Sequence, residues 1–235
     1  MAYNAGLVKQ ANKVRVTGGG AAARAESTEA VSELTTNRLS VYLRCLNTLE
    51  EEGMRTVSSR ALAERFHLNA AQIRKDLANF GEFGVRGVGY YVKELRRHLR
   101  QILGVDQRLP VAIMGAGNLG LALADYPGFR GEGFEIAGLF DDDREKIGRR
   151  SRAGVPIHDI RDFRRLARRE QMRIAVIAVP AAAAQGVLNM VVAAGIKAVL
   201  NFSPGTLSVP PDVKLRSVDL TVSLESLSFF LANTE

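Results

Sequence analysis

Between residues 39 and 49 the apolar side chains Leu39, Tyr42, Leu43, Leu46 and Leu49 recur at intervals of three and four, the period of a helix with one buried stripe. Thr36 or Asn37 stands where its cap belongs, and Gly53 stands where such a helix stops. Val57 predicts a short strand. Ala61, Leu62 and Phe66 predict a second helix, capped by Ser58 or Ser59 and ending near His67. After a turn through Leu68 and Asn69, Ile73, Leu77 and Phe80 mark a third helix over 70–80, stopped by Gly81. Two short strands around a glycine-rich turn follow over 84–92. Leu95, Leu99, Ile102 and Leu103 then give a helix over 92–103, leading to a linker over 104–109.

Past residue 110 the pattern changes. Short apolar runs at 111–114, 134–140, 154–157, 173–179 and 197–202 read as strands, and helical stretches such as 182–194 stand between them. Strands alternating with helices predict a doubly wound parallel sheet. Leu220, Leu224, Leu227 and Leu231 then recur at helical spacing over 218–231. With Phe229 and Phe230 this segment is more apolar than an exposed tail should be, which points to self-packing or to exchange with a second subunit. Residues 1–33, with a run of three glycines and three alanines at 18–23, lack periodicity and read as a flexible tail without assigned function. The expected organisation is α/β overall: tail 1–33, helical domain 34–104, α/β domain 105–215 and C-terminal helix 216–235.

Charge adds a partner to this picture. The net +7 of the 235 residues is concentrated at 36–104, which hold 12 Lys or Arg against 7 Asp or Glu. A compact basic domain gains affinity for nucleic acid by releasing counterions from phosphates, so double-stranded DNA is the partner to test. No apolar run is long enough to span a bilayer, and no continuous apolar segment follows Lys9 and Lys13 as a secretory leader requires. The single cysteine, Cys45, excludes an intrachain disulfide and falls on an apolar stripe, as core filler. A cytoplasmic protein with no membrane partner is expected.

The third helix carries the DNA reading. With Ile73, Leu77 and Phe80 facing the core, Gln72, Lys75 and Asn79 share another face, with Arg74 at its flank. Gln and Asn can pair with adenine edges, and Arg and Lys with guanine, from a helix in the major groove. Ser58 and Ser59 are added as neighbours of that face. Arg86, at the tip of the glycine-rich hairpin, has the position of a wing residue that enters the minor groove. Helix, turn, helix and wing stand in winged-helix order.

Gly115, Ala116, Gly117, Asn118, Leu119 and Gly120 form a G-x-G-x-x-G run directly after the strand at 111–114. In a Rossmann unit its glycines provide a tight turn, a close approach to pyrophosphate and close helix packing, with phosphate on the helix N-terminus. Asp141 ends the next strand, where a carboxylate binds ribose hydroxyls and rejects a 2′-phosphate, so NADH or NAD+ is favoured over the phosphorylated forms; Asp142 and Asp143 remain alternatives. Pro180, Asn201 and Phe202 follow later strands and are candidates for the nicotinamide half. Catalytic groups are scarce: His158 is the only histidine past the linker, no Cys and His set could hold zinc, and no substrate domain is left to assign. The dinucleotide is expected to act as a ligand of a protein that is not an enzyme. Arg161, Arg164, Arg165, Arg168 and Arg169 read as a solvated helix face.

From Arg38 to Phe230 the chain resembles the bacterial redox-sensing transcriptional repressors called Rex. The resemblance rests on Val57-Ser58-Ser59, Ala71-Gln72-Ile73-Arg74-Lys75-Asp76-Leu77, Asn79-Phe80-Gly81, Arg86-Gly87-Val88-Gly89-Tyr90, the 115–120 loop, Phe140-Asp141-Asp142-Asp143, Gly195-Ile196-Lys197 and Asn201-Phe202. It implies a homodimer that binds operator DNA when NAD+ is abundant and is released by NADH, with its C-terminal helix exchanged between subunits. It also implies that Tyr126 and Asp219 interact across the dimer and respond to the redox state of the dinucleotide. The sequence departs from the family at Ser40, where relatives often carry proline, and at Leu220, where some carry an aromatic residue near the nicotinamide. The rival reading is a catalytic or CoA-handling Rossmann protein with an accessory basic domain.

Overall fold

A computed structural model describes residues 32–233, and the chain divides into two compact units that meet at Gly104 and Val105. The first is built on α1 (Glu33–Glu51), whose Leu39, Tyr42, Leu43, Leu46 and Leu49 are buried on one stripe with Cys45. The helix starts earlier than Thr36 or Asn37. Ser32 Oγ accepts the Thr35 N–H, and Thr35 itself is buried, so the extra turn is both capped and packed. The expected tail lies, up to residue 31, outside the described residues; Ser32 and Glu33 belong to this helix start.

Strand β1 (Thr56–Val57) precedes α2 (Ser59–Phe66), which Ser58 caps through its hydroxyl to the Ala61 N–H. His67, in the left-handed region at φ 54°, ends it. Helix α3 (Ala70–Ala78) is capped by Asn69 Oδ1, which accepts the N–H groups of Ala71 and Gln72, and buries Ile73 and Leu77. It is shorter than its apolar period predicts: Asn79 is its C-cap, Phe80 lies beyond it, and Gly81 turns the chain at φ 143°. A hairpin of β2 (Gly84–Val85) and β3 (Gly89–Tyr91) leads to α4 (Val92–Ile102), which packs on α1 through Leu95 and Leu99 and an Arg96–Glu50 ion pair. β1 adds to the far edge of β3. Gly89, at φ 96°, sits where a Cβ would come 2.6 Å from the Val57 carbonyl oxygen, so the hairpin base requires glycine.

The second unit is a six-stranded parallel sheet of β4 (Leu109–Met114), β5 (Phe134–Asp141), β6 (Ile157–Asp159), β7 (Ile174–Ile177), β8 (Ala198–Asn201) and β9 (Lys214–Ser217), in spatial order β6-β5-β4-β7-β8-β9. That is the doubly wound order with its switch point between β4 and β7. Between the strands run α5 (Asn118–Asp125), α6 (Gly128–Gly131), α7 (Phe163–Arg169) and α8 (Ala181–Ala193), and α9 (Leu220–Ala232) follows β9. Two apolar clusters cover the sheet, one around Phe140, Phe163 and Leu188, the other around Ile113 and Leu139.

Two elements escaped the sequence pattern. The short α6 is one, and β9 is the other: Lys214-Leu215-Arg216-Ser217 offers a single apolar side chain, enough for an edge strand paired with β8 on one side only. It also runs across the predicted 215/216 boundary. The strand predicted at 154–157 falls at 157–159 instead, because 150–156 fold into a turn closed by an Arg150–Pro156 bridge.

Candidate functional site

In the first unit, α3 and the hairpin place most of the predicted polar residues on the surface. Lys75, Asn79 and Arg86 are exposed, and Arg86 stands in the turn between β2 and β3, closed by the Val88 N–H on the Val85 carbonyl. Ser58, Ser59 and Arg86 line one shallow cleft with Gly84 and Tyr90. Arg74 is less free, since its Nη1 donates to Ser59 Oγ at 2.9 Å and so ties α3 to α2.

Gln72 departs furthest from expectation. Its Nε2 donates to Oδ1 of Asp76 at 2.7 Å, so one of the amide's two N–H groups is already engaged within α3. Asp76 is buried and also accepts from Arg38 Nε (2.6 Å), Arg38 Nη2 (2.8 Å) and the Tyr42 hydroxyl (2.9 Å). The Arg38 hydrogen bond, opposed by burial and aided by Gln72 and Tyr42, holds the Asp76 carboxyl below its ordinary range. Burial and the same carboxylate push the Tyr42 phenol up, keeping it a neutral donor. Sequence reading missed Asp76 and Arg38 because an Asp between Lys75 and Leu77 looks like an ordinary surface charge; its place in line with Ile73 and Leu77 was the available signal.

In the second unit the parallel strands bring four loops to one edge: those after β4, β5, β7 and β8. The three glycines of the β4 loop occupy different environments. Gly115, at φ 103°, would place a Cβ 2.5 Å from the Ala178 carbonyl oxygen; at Gly120 a Cβ would be driven into the Gly115 carbonyl; at Gly117 nothing lies within 4 Å. Tight turn, close packing and open approach are thus separated as a pyrophosphate cradle requires. Gly117 caps α5 without a side chain, leaving the first N–H groups of that helix directed at the open space. Asn118 and Leu119 are exposed there, whereas Ala116 is buried. The loop therefore fits a dinucleotide.

Asp141 is buried at the end of β5 and closes onto this loop. Oδ2 accepts the Ala116 N–H at 2.6 Å and Oδ1 accepts the Asp143 N–H at 2.9 Å. Lys146 Nζ lies 3.5 Å from Asp141 and 3.3 Å from Asp143. The carboxylate predicted to meet ribose is thus already at work shaping the glycine loop, while Asp142 stands exposed and Asp143 half-exposed beside it. The Glu145 N–H and then Lys146 hold the Asp143 carboxyl below its ordinary value.

The far side of the edge differs again. Pro180 is exposed at the start of α8. Asn201 is fully buried: its Nδ2 donates to the Ser203 carbonyl and to Ser217 Oγ, and its Oδ1 accepts the Ser203 N–H. It shapes the β8 loop and offers no free side-chain group, and Phe202 packs partly on the apolar cluster. Tyr126, exposed at the end of α5, stacks edge-on to Phe129, and Asp219 caps α9 through the Thr221 and Val222 N–H groups. Within one chain each is engaged by its own neighbours. His158 is half-buried against Phe140, and burial lowers its pKa, as suits a packing residue. In the arginine face, Arg161, Arg165 and Arg169 pair with Asp159, Asp162 and Glu170, a solvated set of surface ion pairs.

Comparison with known proteins finds two family models on separate stretches of the chain. Residues 30–78 match the family model described as "Putative DNA-binding protein N-terminus", and residues 106–205 match the model described as "CoA binding domain". The redox-sensing transcriptional repressor Rex of Chloroflexus aggregans is 44% identical over 89% of this chain and 99% of its own length. That of Syntrophomonas wolfei is 50% identical over 86% and 96%. Among solved structures, RSP in complex with beta-NAD+ and operator DNA is 40% identical, with a TM-score of 0.81 over 86% of this chain and 92% of that one. RSP in complex with beta-NADH is 39% identical, with a TM-score of 0.75 over 86% and 94%.

Proposed function

This chain belongs to the Rex family of redox-sensing transcriptional repressors, and on that premise we propose that it binds operator DNA as a homodimer and releases it when NADH binds. The observation that carries the reading is the glycine loop with its three separate environments, placed in one chain with a winged helix. Residues 115–120 would hold the pyrophosphate, the 141–143 loop the adenosine ribose, and Pro180 and Phe202 would border the nicotinamide half. Lys75 and Arg86 would meet the DNA backbone and minor groove. Acting on operator DNA, the protein works in the cytoplasm; no described helix is long and apolar enough to cross a membrane.

Dimerisation gives α9 its role. Leu220, Val222, Leu224, Leu227, Phe229, Phe230 and Leu231 are each more than half exposed, and no residue of the helix is buried within its own chain. Burial of one large apolar side chain stabilises by about 1.5–3 kcal/mol, so a second copy that covers this helix is strongly favoured. Exchange would carry Asp219 to the partner, where it would meet the partner's switch tyrosine, the role proposed for Tyr126. NADH can then weaken DNA binding only as far as it prefers the dimer arrangement that does not fit successive major grooves.

A mobility shift tests this directly, with a duplex selected by the protein from a random pool and titrated with NADH, NAD+ and CoA. NADH should release the complex, while NAD+ and CoA leave it intact. A complex indifferent to NADH refutes the sensor reading, and release by CoA would instead favour the ligand suggested by the second family model.

A further inference from the structure

We propose that Gly128 is a positioning residue for Tyr126: because position 128 carries no side chain, the phenol ring can lie against the backbone there, with its hydroxyl turned to solvent where a second subunit can meet it. The inference rests on the switch role given to Tyr126 above.

A Cβ at Gly128 would come 2.5 Å from Tyr126 Cε1, 2.6 Å from Cζ and 2.7 Å from the hydroxyl oxygen, far inside the 3.5–4.0 Å or so at which such atoms attract. The backbone itself has no need of glycine. Gly128 opens α6 outside the left-handed region, where alanine suits a helix better. What the position excludes is therefore a methyl group under the Tyr126 ring. Phe129 meets the same ring edge-on, with centroids 5.1 Å apart and planes at 82°. The segment that carries the ring is gripped on both sides of it by one turn. Asp125 accepts the N–H groups of Arg152 (3.3 Å) and Ala153 (2.7 Å), and Arg130 Nη2 donates to the Ala153 carbonyl at 3.3 Å.

Tyr126 is 56% exposed, so no core fixes its rotamer; Gly128 and Phe129 do. The ring is the far end of a side chain that can swing into water, so a methyl at 128 should displace it without disturbing the fold. NADH acts on DNA binding only through the free-energy difference between two dimer arrangements. A contact that Tyr126 makes in one of them contributes to that difference, and a displaced hydroxyl forfeits it.

The test uses the full chain and the duplex it selects, with DNA affinity measured with and without saturating NADH. In Gly128→Ala the ratio of the two affinities should fall about tenfold, the worth of one hydrogen bond to a charged group, at an unchanged melting temperature. Tyr126→Ala should lower the ratio equally, and the two substitutions together should do no more, since no ring is left to displace. A merely structural role for Gly128 would add its own loss. Phe129→Leu removes the second contact and should lower the ratio by less; it decides if Gly128→Ala does not fold. An unchanged ratio in Gly128→Ala beside a lowered one in Tyr126→Ala, or a further loss in the double variant, overturns the inference. An unchanged ratio in Tyr126→Ala overturns the switch role itself.

Discussion

The two units build their surfaces from different material. The crevice at β4 is made mostly of backbone: N–H groups at the head of α5, a loop free of side chains at Gly115 and Gly117, and one buried carboxylate holding Ala116 in place. The α3 face is made of side chains that trade hydrogen bonds with one another, Gln72 with Asp76 and Arg74 with Ser59, before any partner arrives. A backbone site fails when an atom is added to it. A side-chain site fails when a member is removed, and the failure spreads to its neighbours.

The sharpest break in that contrast is a methyl group in the cradle. Gly120→Ala pushes a Cβ into the Gly115 carbonyl, so the loop itself has to shift. NADH affinity should fall at least about a hundredfold, nearly 3 kcal/mol, while DNA binding persists and no longer answers NADH. Gly117→Ala sharpens the same point, because no atom lies within 4 Å of the added carbon and the fold has no reason to resist it. Calorimetric titration should show weakened NADH binding at an unchanged melting temperature. Undiminished affinity in Gly117→Ala would remove the pyrophosphate from this loop.

On the other side, Asp76→Ala leaves Arg38, Tyr42 and Gln72 without their acceptor; Arg38 is a third exposed and regains water, so the cost is mainly that of the orphaned donors, about 1–3 kcal/mol. The loss should appear in denaturant unfolding of the first unit. Its pH dependence has a definite sign. A carboxyl held low by Arg38 in the folded state contributes stability above its unfolded pKa of about 3.9, and that contribution is lost as pH falls through the folded value. The gap between the unaltered chain and Asp76→Asn should therefore be full at pH 6 and shrink on acidification below about pH 4. A gap that widens in acid would mean the Asp76 carboxyl is raised instead.

The same contrast explains what the sequence could convey. The G-x-G-x-x-G loop was legible because a missing side chain leaves a mark at fixed spacing, and the doubly wound class followed because β4, β5, β7 and β8 are apolar runs between helices. β9 was not legible, since an edge strand with one apolar residue of four leaves no pattern. At α3 the helix and its exposed face could be read, but residue type could not tell whether Gln72 faces a base or Asp76. The acceptor that decides it is helped into place by Arg38, thirty-eight residues away. Asn201 and Asp141 show the same limit: a polar residue at the end of a strand is the mark of a ligand contact and equally of a loop clamp, and both hold their loops here.

The smallest expected effects come from the side chains that stand outside both networks. Lys75 and Arg86 are exposed, and neither has a partner among the described residues. Because nothing leans on them, Lys75→Ala and Arg86→Ala should leave the melting temperature and NADH affinity unchanged. If Lys75 meets a phosphate, its loss weakens all duplexes alike and lowers the slope of log affinity against log salt by about one. Arg86, on a turn held by Gly87 at φ 82°, should show a loss that grows with the A·T content of the flanking minor groove, where a narrow groove concentrates negative potential. Equal loss on A·T-rich and G·C-rich flanks would return Arg86 to the phosphate backbone, whereas a fall in stability for either variant would draw that residue into the side-chain network.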